Sequence, residues 1–224
     1  MLRVVLSNTR FWRSATSKKN KSASSQRWLK EHESDQYVLA ARKKGYRSRA
    51  AFKLLEMQDK LKLIKPGMKV VDLGAAPGGW TQIAAKLVGE SGHVVALDIL
   101  EMAPVFNATI IQGDFLEQSV LDQLLSTLNN SAVDLVISDM APNMSGVNAV
   151  DQPKGMVLVE LALDCASRIL KPGGDFLTKA FQGEGFDEFI EEVRSQFKTV
   201  VIKKPKSSRD RSRELYVLGR SYNM

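Results

Sequence analysis

Apolar runs alternate with amphipathic stretches along most of the chain, and this pattern predicts the secondary structure. Strands are predicted for seven short apolar runs: MKVVDLG, HVVALDI, ATIIQGD, AVDLVISD, DFLTKAF, TVVIKK and ELYVLGR. Helical periodicity separates several of them, in GWTQIAAKLVG, SVLDQLLSTLN and PKGMVLVELALDCASRIL, the last followed by the helix stop LKPGG. Strands that alternate with helices indicate an α/β fold with a mostly parallel sheet and helices on both faces.

The two ends of the pattern differ from its middle. Two helical stretches, RWLKEHESDQYVLAARKKG and SRAAFKLLEMQDKLKL, precede the first strand and are separated at Gly45. The last two strands are joined by residues 205–213 without a helical pattern. A short connection of this kind favours an antiparallel final pair.

The chain is long enough for one large domain but not for two of comparable size, with 224 residues of which 44% are hydrophobic. We predict one domain over residues 21–224, made of N-terminal helices at 26–64 and a catalytic core at 66–220. Residues 1–20 are predicted to be a basic, disordered arm, since the first acidic residue is Glu31. An upstream start codon that adds residues without a role is an alternative to the arm, and an organellar transit peptide has the same composition.

Charge and cysteine content narrow the class of protein. A formal net charge of +7 favours a polyanionic partner, because a basic surface attracts phosphates at long range. Cys165 is the only cysteine, which excludes an internal disulfide, and its apolar helical surroundings predict a buried thiol. The only histidines are His32 and His93, so the chain has too few cysteine and histidine residues for a zinc site of the usual kind, and we expect none. No stretch of the sequence approaches the roughly 18 apolar residues of a membrane span.

A loop of small residues follows the first predicted strand in VVDLGAAPGGW. Gly74, Gly78 and Gly79 allow the backbone to turn sharply and to approach a ligand where a Cβ would collide. The spacing departs from GxGxxG, and the loop lacks the Lys-Ser/Thr of a phosphate loop, which argues against an NAD-dependent oxidoreductase. Trp80, directly after the loop, could be a core aromatic or a wall of the pocket, and the same choice stays open for Met102 and Pro104.

Three predicted strands end in an acidic residue: Asp72, Asp98 and Asp114. Ligands of α/β sheets bind beyond the carboxyl ends of the strands. The number of residues between the glycine loop and Asp98 is close to the sequence spacing at which an acid can bind ribose hydroxyls. Each acid alone could be a helix cap. Together they form a negative pocket that suits S-adenosyl-L-methionine, which is cationic at its sulfonium and amine and carries no phosphate.

Four charged residues interrupt apolar segments elsewhere in the chain: Lys53, Asp139, Lys179 and Glu214. Charges in such segments are costly unless they are paired. Asp139 and Lys179 both lie at strand ends that should line the mouth of the pocket predicted for S-adenosyl-L-methionine. A buried, ion-paired cluster is therefore expected there. Taken singly, Lys179 would be an edge-strand lysine more readily than a catalytic one.

Longer motifs carry a resemblance to a known family. SASSQRWL, KKGYRSRAAFKL, SDMAPNMSG, FQGEGFDEF and KPKSSRDRSRE are similar to the FtsJ/RrmJ family of RNA 2′-O-ribose methyltransferases, over about Lys19 to Gly219. The resemblance implies a Rossmann-like, seven-stranded S-adenosylmethionine-dependent methyltransferase fold with an antiparallel final hairpin. It places the family's catalytic tetrad on Lys53, Asp139, Lys179 and Glu214, and its donor-site residues on Gly78, Trp80, Asp98, Asp114 and Asp139.

The resemblance also implies a substrate and a setting. Its rRNA-modifying members methylate a uridine ribose in the A loop of 23S rRNA within the large ribosomal subunit. We expect the same here, with a monomeric enzyme that needs no membrane and works in the bacterial cytoplasm or, alternatively, in the mitochondrial matrix. A 2′-O-methyltransferase of tRNA or of an mRNA cap, and a largely non-catalytic ribosome-assembly factor, stay open as alternatives.

The reaction suggests a role for each member of the tetrad. A ribose hydroxyl is a poor nucleophile at neutral pH, so its proton has to be removed or polarised. Our hypothesis is that Lys179 accepts this proton, that Asp139 orients Lys179 and the donor, and that Lys53 and Glu214 position the ribose. No metal is required, because the sulfonium leaving group departs neutral.

Two basic runs end beside members of the tetrad. RKKGYRSR precedes Lys53, and KKPKSSRDRSR precedes Glu214. We expect both runs to contact phosphates that flank the target ribose, although a solvated charge run has the same composition. Within the first run, Tyr46 could stack on a base or pack against the protein.

Overall fold

The computed structural model describes residues 33–114, 116–209 and 211–223, so the predicted arm lies outside the described residues. None of the helices in these ranges is long and apolar enough to cross a membrane. The elements are α1 (Gln36–Lys44), α2 (Ala51–Leu61), β1 (Lys69–Leu73), α3 (Gly79–Val88), β2 (His93–Asp98), β3 (Ala108–Gln112), α4 (Gln118–Thr127), β4 (Val133–Ser138), α5 (Asn148–Ile169), β5 (Leu170–Phe181), α6 (Phe186–Gln196), β6 (Phe197–Lys203) and β7 (Glu214–Tyr222).

The strands form one seven-stranded sheet in the order β3-β2-β1-β4-β5-β7-β6. Strands β1 to β5 pair in parallel, whereas β7 runs antiparallel to both β5 and β6. This confirms the predicted mostly parallel sheet and its antiparallel last strand. The strand order reverses between β1 and β4, and such a switch point opens a crevice at the carboxyl ends of these two strands.

Successive residues of the central strands belong to two different cores. Val71, Val95, Val136 and Phe176 lie in one apolar cluster, together with residues of α4, α5 and α6. Their chain neighbours Val70, Val94, Leu135 and Leu177 lie in another, with residues of α2 and α3. Because side chains of a strand alternate between the two faces of a sheet, helices cover both faces, as the sequence predicts.

The helices differ from the prediction at their ends. The first predicted helix is not continuous to Gly45, because Asp35 has extended backbone dihedrals and its carboxylate caps α1 by accepting hydrogen bonds from the Tyr37 and Val38 amides. Helix α5 ends at Ile169, as LKPGG predicts, but β5 already begins at Leu170, with a register shift against β4.

The single cysteine lies in α5, as expected. Cys165 is only 3% exposed and contributes to the core on that side of the sheet. Burial raises the pKa of its thiol to about 12, with a further contribution from Asp164. The thiol is therefore protonated at neutral pH and acts as a small apolar side chain.

Helix α2 is part of the core, and this generates a prediction. Leu54 is fully buried, so Leu54→Ala should lower the free energy of unfolding by about 2–5 kcal/mol in a single transition. Denaturant unfolding followed by circular dichroism measures this. Leu39→Ala, at a half-exposed position of α1, should cost less than about 0.5 kcal/mol. A separate early transition, with the main midpoint unchanged, would mean that α2 is not part of the same folding unit.

Candidate active site

The four predicted tetrad residues meet as two ion pairs at the carboxyl edge of the sheet. Lys53 Nζ lies 2.8 Å from Glu214 Oε1, and Lys179 Nζ lies 3.1 Å from Asp139 Oδ1. Lys179 Nζ also donates a hydrogen bond of 2.6 Å to the backbone carbonyl of Asp139. The side chains of Lys53, Lys179 and Glu214 are each no more than 11% exposed. The expected buried, ion-paired cluster is therefore present.

Register and alternation explain why these side chains converge. In the antiparallel pair of β5 and β7, Lys179 lies opposite Tyr216 and Phe181 lies opposite Glu214. Tyr216 belongs to the apolar cluster that includes residues of α2, so positions two residues apart on these strands face this helix. Lys53, buried on α2, reaches Glu214 from that side. The site thus depends on the docking of α2.

Tyr216 joins the two ion pairs, although the apolar pattern of its strand does not distinguish it from its neighbours. Its hydroxyl donates a 2.6 Å hydrogen bond to Asp139 Oδ1, and its ring centroid lies 5.6 Å from Lys53 Nζ. Burial, together with the charge of Asp139, raises its pKa well above the ordinary value, which keeps the hydroxyl a donor. Its position two residues after Glu214, on the same face of a strand, is the signal that could have identified it.

The two carboxylates stay charged despite burial. Burial opposes ionisation of Asp139, but Lys179 and Lys53 outweigh it and hold the pKa of Asp139 below its ordinary value. Burial likewise opposes ionisation of Glu214, and the same two lysines hold its pKa below the ordinary value. The negative charges therefore persist at neutral pH and fix the positions of both ammonium groups.

The glycine loop after β1 is closely packed from two sides. Gly74 has φ +70°, and a Cβ there would collide with Met140 Cγ, in the loop after β4. Gly78 has φ +103°, and a Cβ there would lie 2.7 Å from the guanidinium of Arg47. Both positions require glycine for its conformation and for its missing side chain. Because Met140 follows Asp139, the contact at Gly74 brings the glycine loop close to the tetrad.

Asp98 connects the loops after β1 and β2. Its Oδ2 accepts a hydrogen bond of 2.8 Å from the Ala76 amide, and its Oδ1 accepts one of 2.8 Å from the Leu100 amide. Burial raises its pKa from the ordinary value. Asp114, by contrast, accepts a hydrogen bond from the Leu116 amide within its own turn. The local role that the sequence leaves open for an acid at a strand end is thus present at Asp114.

Asp72 is the most deeply buried of the three strand-end acids. It is 1% exposed, and its Oδ2 accepts a 2.7 Å hydrogen bond from the Thr81 hydroxyl. Its Oδ1 is buried without a partner within the described residues. Burial raises its pKa to about 7, and the negative charges of Asp139 and Asp98 contribute to the rise. A cationic group at this place would find an acceptor that the protein itself does not use.

Trp80 and Tyr46 take the packing roles that the sequence leaves open. Trp80 is 2% exposed, and its indole N–H donates a 2.9 Å hydrogen bond to the carbonyl of Ala50. Its ring lies 5.7 Å from that of Tyr216. Tyr46 packs edge-on against Phe52. A contact between Trp80 and a bound donor stays a prediction.

Arg47, expected among the phosphate contacts, is instead held at the glycine loop. Its guanidinium donates to the carbonyls of Pro77 at 3.3 Å, Ala103 at 2.7 Å and Pro104 at 2.6 Å. It therefore joins the loops after β1 and β2. The basic composition of the run could not reveal this, because the partners of Arg47 are backbone carbonyls of residues far away in the chain.

The two basic runs lie against each other. Asp35 pairs with Arg49 from the first run and lies 3.7 Å from Arg209 in the second. Glu56 on α2 accepts hydrogen bonds of 3.0 and 3.2 Å from the amides of Lys206 and Ser207. Further basic residues of both runs are exposed, namely Arg42, Lys43, Lys44, Lys203, Lys204, Lys206, Arg211 and Arg213. The runs together present one basic surface beside the tetrad.

A bound metal has no evident place in the described ranges. Across residues 33–114, 116–209 and 211–223, no three His, Cys, Asp or Glu side chains are grouped so that they could hold a metal ion.

Comparisons with known proteins agree with this geometry. The model of the FtsJ-like methyltransferase family matches residues 46–222. Relatives named ribosomal RNA large subunit methyltransferase E, from Pseudomonas fluorescens and Pseudomonas aeruginosa, are 60% and 57% identical over 202 residues, which cover 90% of this chain and 97% and 98% of theirs. A crystal structure from Plasmodium falciparum, provisionally named a ribosomal RNA methyltransferase, superposes with a TM-score of 0.69 at 26% identity, covering 79% of this chain and 98% of that one.

The buried carboxyl of Asp72 generates a prediction about pH. With a pKa of about 7 it holds a proton in the folded protein at pH values where the unfolded chain has released it, so it lowers stability as the pH rises towards 7. Asp72→Asn removes this loss. The variant should gain about 3 kcal/mol relative to the original protein between pH 5 and pH 7, at about 1.4 kcal/mol per pH unit, and the difference should level off above pH 7.

Denaturant unfolding at pH 5, 6, 7 and 8 measures the difference. Asp134→Asn is the matched control, because Lys171, against the effect of burial, holds the pKa of Asp134 below its ordinary value. The free energy of unfolding that Asp134→Asn costs should not change over this pH range. Parallel pH profiles for Asp72→Asn and the original protein would show that Asp72 is ionised in the folded state throughout.

Proposed function

The chain belongs to the family of FtsJ-like methyltransferases, and on this premise we propose that it methylates the 2′-oxygen of a uridine ribose in the A loop of 23S rRNA. The methyl donor is S-adenosyl-L-methionine, and the substrate is the large ribosomal subunit. The names of the two Pseudomonas relatives support a large-subunit rRNA substrate. Their bacterial origin favours the cytoplasm over the mitochondrial matrix.

The observation that carries the proposal is the fixed lysine beside the glycine loop. Two hydrogen-bond acceptors of Asp139, its carbonyl and its carboxylate, hold Lys179 Nζ in place. An amino group of lysine has three positions for hydrogen bonds, so one is left for a substrate hydroxyl. Since Met140 packs against Gly74, this nitrogen lies close to the loop expected to hold the donor.

The tetrad supports the transfer by moving one proton. The ammonium group of Lys179 first gives one proton to water, and the neutral Nζ then accepts the proton of the 2′-hydroxyl while the oxygen forms its bond to the methyl carbon. S-adenosyl-L-methionine supplies an electrophilic methyl on a cationic sulfur, and the carbon–sulfur bond breaks to leave a neutral thioether. Asp139 stabilises the resulting ammonium, and Lys53 with Glu214 can hydrogen-bond the ribose. Atoms and charges balance without a metal.

The residues around the glycine loop fit a cationic donor that carries a ribose. Asp98 lies at this loop, and its carboxylate interacts with the backbone amides of Ala76, Leu100 and Ile99. Of its roughly four acceptor positions, one is then left for a ribose hydroxyl. Asp72 offers a buried oxygen without a partner. Gly78, Trp80 and Asp114 complete the proposed donor site.

The basic surface formed by the two runs accounts for binding of a much larger substrate. It adjoins Lys53 and Glu214, so phosphates that flank the target ribose can reach it while the ribose enters the tetrad. Electrostatic contacts of this kind position RNA without reading its sequence. Choice of the uridine therefore depends on contacts nearer to the tetrad.

Transfer of labelled methyl from S-adenosyl-L-methionine tests the proposal. Large subunits that lack this modification, protein-free 23S rRNA and tRNA are the three substrates, and resistance to alkaline cleavage maps a methylated ribose. We expect one modified uridine in the A loop, with the large subunits as the best substrate. Transfer to tRNA alone would contradict the substrate. A complete lack of transfer, with the donor still bound, would favour an assembly factor.

Loss of the proposed base should abolish most of the chemistry. Lys179→Ala should lower the single-turnover rate of methyl transfer by about 10²–10⁴-fold, while the affinity for the donor stays within about threefold. Lys171→Ala is the matched control, because Lys171 is a half-exposed lysine of the same strand that pairs with Asp134. A near-normal rate in Lys179→Ala would assign the proton acceptor to another group.

Arg47 should act on donor binding rather than on RNA binding. Arg47→Ala removes three hydrogen bonds that fix the loops after β1 and β2, so it should weaken S-adenosyl-L-methionine binding about tenfold. Lys43→Ala, in the exposed part of the same basic run, should leave donor affinity unchanged and reduce the salt dependence of RNA binding by about one unit of slope. The reverse assignment of effects would make Arg47 a phosphate contact.

A further inference from the structure

A small cavity opens next to the tetrad, on the side away from the glycine loop. Its volume is about 160 Å³, and it lies between residues 144–152 and residues 211–213. Met144, Asn148, Gln152 and Phe181 are among the side chains that line it. None of these residues has a part in the chemistry proposed above, so the cavity has no assigned use.

Phe181 places the cavity at the edge of the tetrad. It lies directly opposite Glu214 in the pairing of β5 with β7, and its ring centroid lies 6.0 Å from Lys179 Nζ. Arg213, which also lines the cavity, is the chain neighbour of Glu214. A ribose bound between Lys179 and Glu214 would therefore have its own base, or the base of an adjacent nucleotide, near this opening.

The wall formed by Met144 is apolar, exposed and held in place. Met144 is 58% exposed, although a large apolar side chain gains nothing from contact with water. The chain after it is fixed by Asp151, whose carboxylate accepts hydrogen bonds of 2.8 Å from the Ser145 amide and hydroxyl and of 2.9 Å from the Gly146 amide. Asn148 is fixed by a 2.9 Å hydrogen bond from Arg213.

Gln152 adds a polar group without a partner to the lining. It is 7% exposed, and its amide nitrogen donates to the carbonyls of Phe181 and Glu184, both at 3.0 Å. Its Oε1 is buried and has no hydrogen-bond partner within the described residues. Such an acceptor costs free energy unless a ligand N–H or a water meets it.

We propose that this cavity binds a nucleobase of the substrate RNA, at the methylated nucleotide or one position to either side. A base matches the lining because it has flat apolar faces for Met144 and Phe181 and polar edges for the side chains of Asn148 and Gln152, which also line the cavity. Arg213 at the rim suits the phosphate of the same strand. The inference rests on the proposed function and adds a specificity contact to it.

Binding of altered RNA to a cavity variant tests the inference. The substrates are large subunits reconstituted with a synthetic RNA fragment across the target site, either intact or lacking one base at the target or at either neighbour. Met144→Ala should weaken binding of the intact substrate about tenfold, in the range found for loss of a base contact. For the one substrate that lacks the base bound in the cavity, Met144→Ala and the original protein should have the same affinity. Val147→Ala, exposed on the same segment but outside the cavity lining, is the control and should not change affinity.

Two results would overturn the inference. In the first, Met144→Ala binds the intact substrate as tightly as the original protein does. In the second, Met144→Ala binds more weakly than the original protein to every one of the substrates that lack a base. Methyl transfer by the original protein to the intact substrate is measured in parallel. If that transfer occurs while Met144→Ala behaves normally, the cavity assignment alone fails. If no transfer occurs, the proposed function fails, and the cavity assignment fails with it.

Discussion

Mutual neutralisation of four buried charges is the constraint on which the rest of this structure depends. Lys53 with Glu214 and Lys179 with Asp139 are tolerable in the interior only as pairs, because one member left alone would be an uncompensated charge. The partners come from α2, from the loop after β4 and from the antiparallel strands β5 and β7. The pairs therefore form only when the helix is docked, the switch-point loop is ordered and the last strand is in register. The proposed catalytic geometry and correct folding are therefore the same requirement at this place.

Contacts around the tetrad extend it into two functional surfaces. Met140, next to Asp139, packs against Gly74 and so joins the proposed proton-transfer site to the loop proposed for the methyl donor. On the other side, Glu56 of α2 holds the amides of Lys206 and Ser207, which brings the second basic run beside the first. A methyl donor that is cationic and an RNA that is anionic can thus be bound side by side, by acidic and basic regions that share one helix and one sheet edge.

Local pattern predicted the sheet and most of the site, and distant contacts account for what it missed. Strand periodicity identified each strand of the sheet, and charges in apolar segments singled out the four residues of the two ion pairs, because both signals are contained in short windows. Their grouping as a catalytic tetrad came from the family resemblance and stays a proposal. The same windows could not place Arg47, whose acceptors include the carbonyls of Ala103 and Pro104. They gave no reason to select Tyr216, an ordinary strand residue until Asp139 and Lys53 are brought against it. Nor could they show that the first predicted helix is interrupted at Asp35, whose side chain caps α1.

We propose above that Lys179, held by Asp139, receives the proton of the ribose hydroxyl. The most direct measurement is a structure of the complex with substrate RNA and a non-reactive analogue of the donor. We expect the target 2′-oxygen within hydrogen-bonding distance of Lys179 Nζ, about 2.7–3.2 Å, and in line with the position of the donor methyl. A 2′-oxygen bound to Lys53 or Glu214, with Lys179 still engaged only by Asp139, would contradict it.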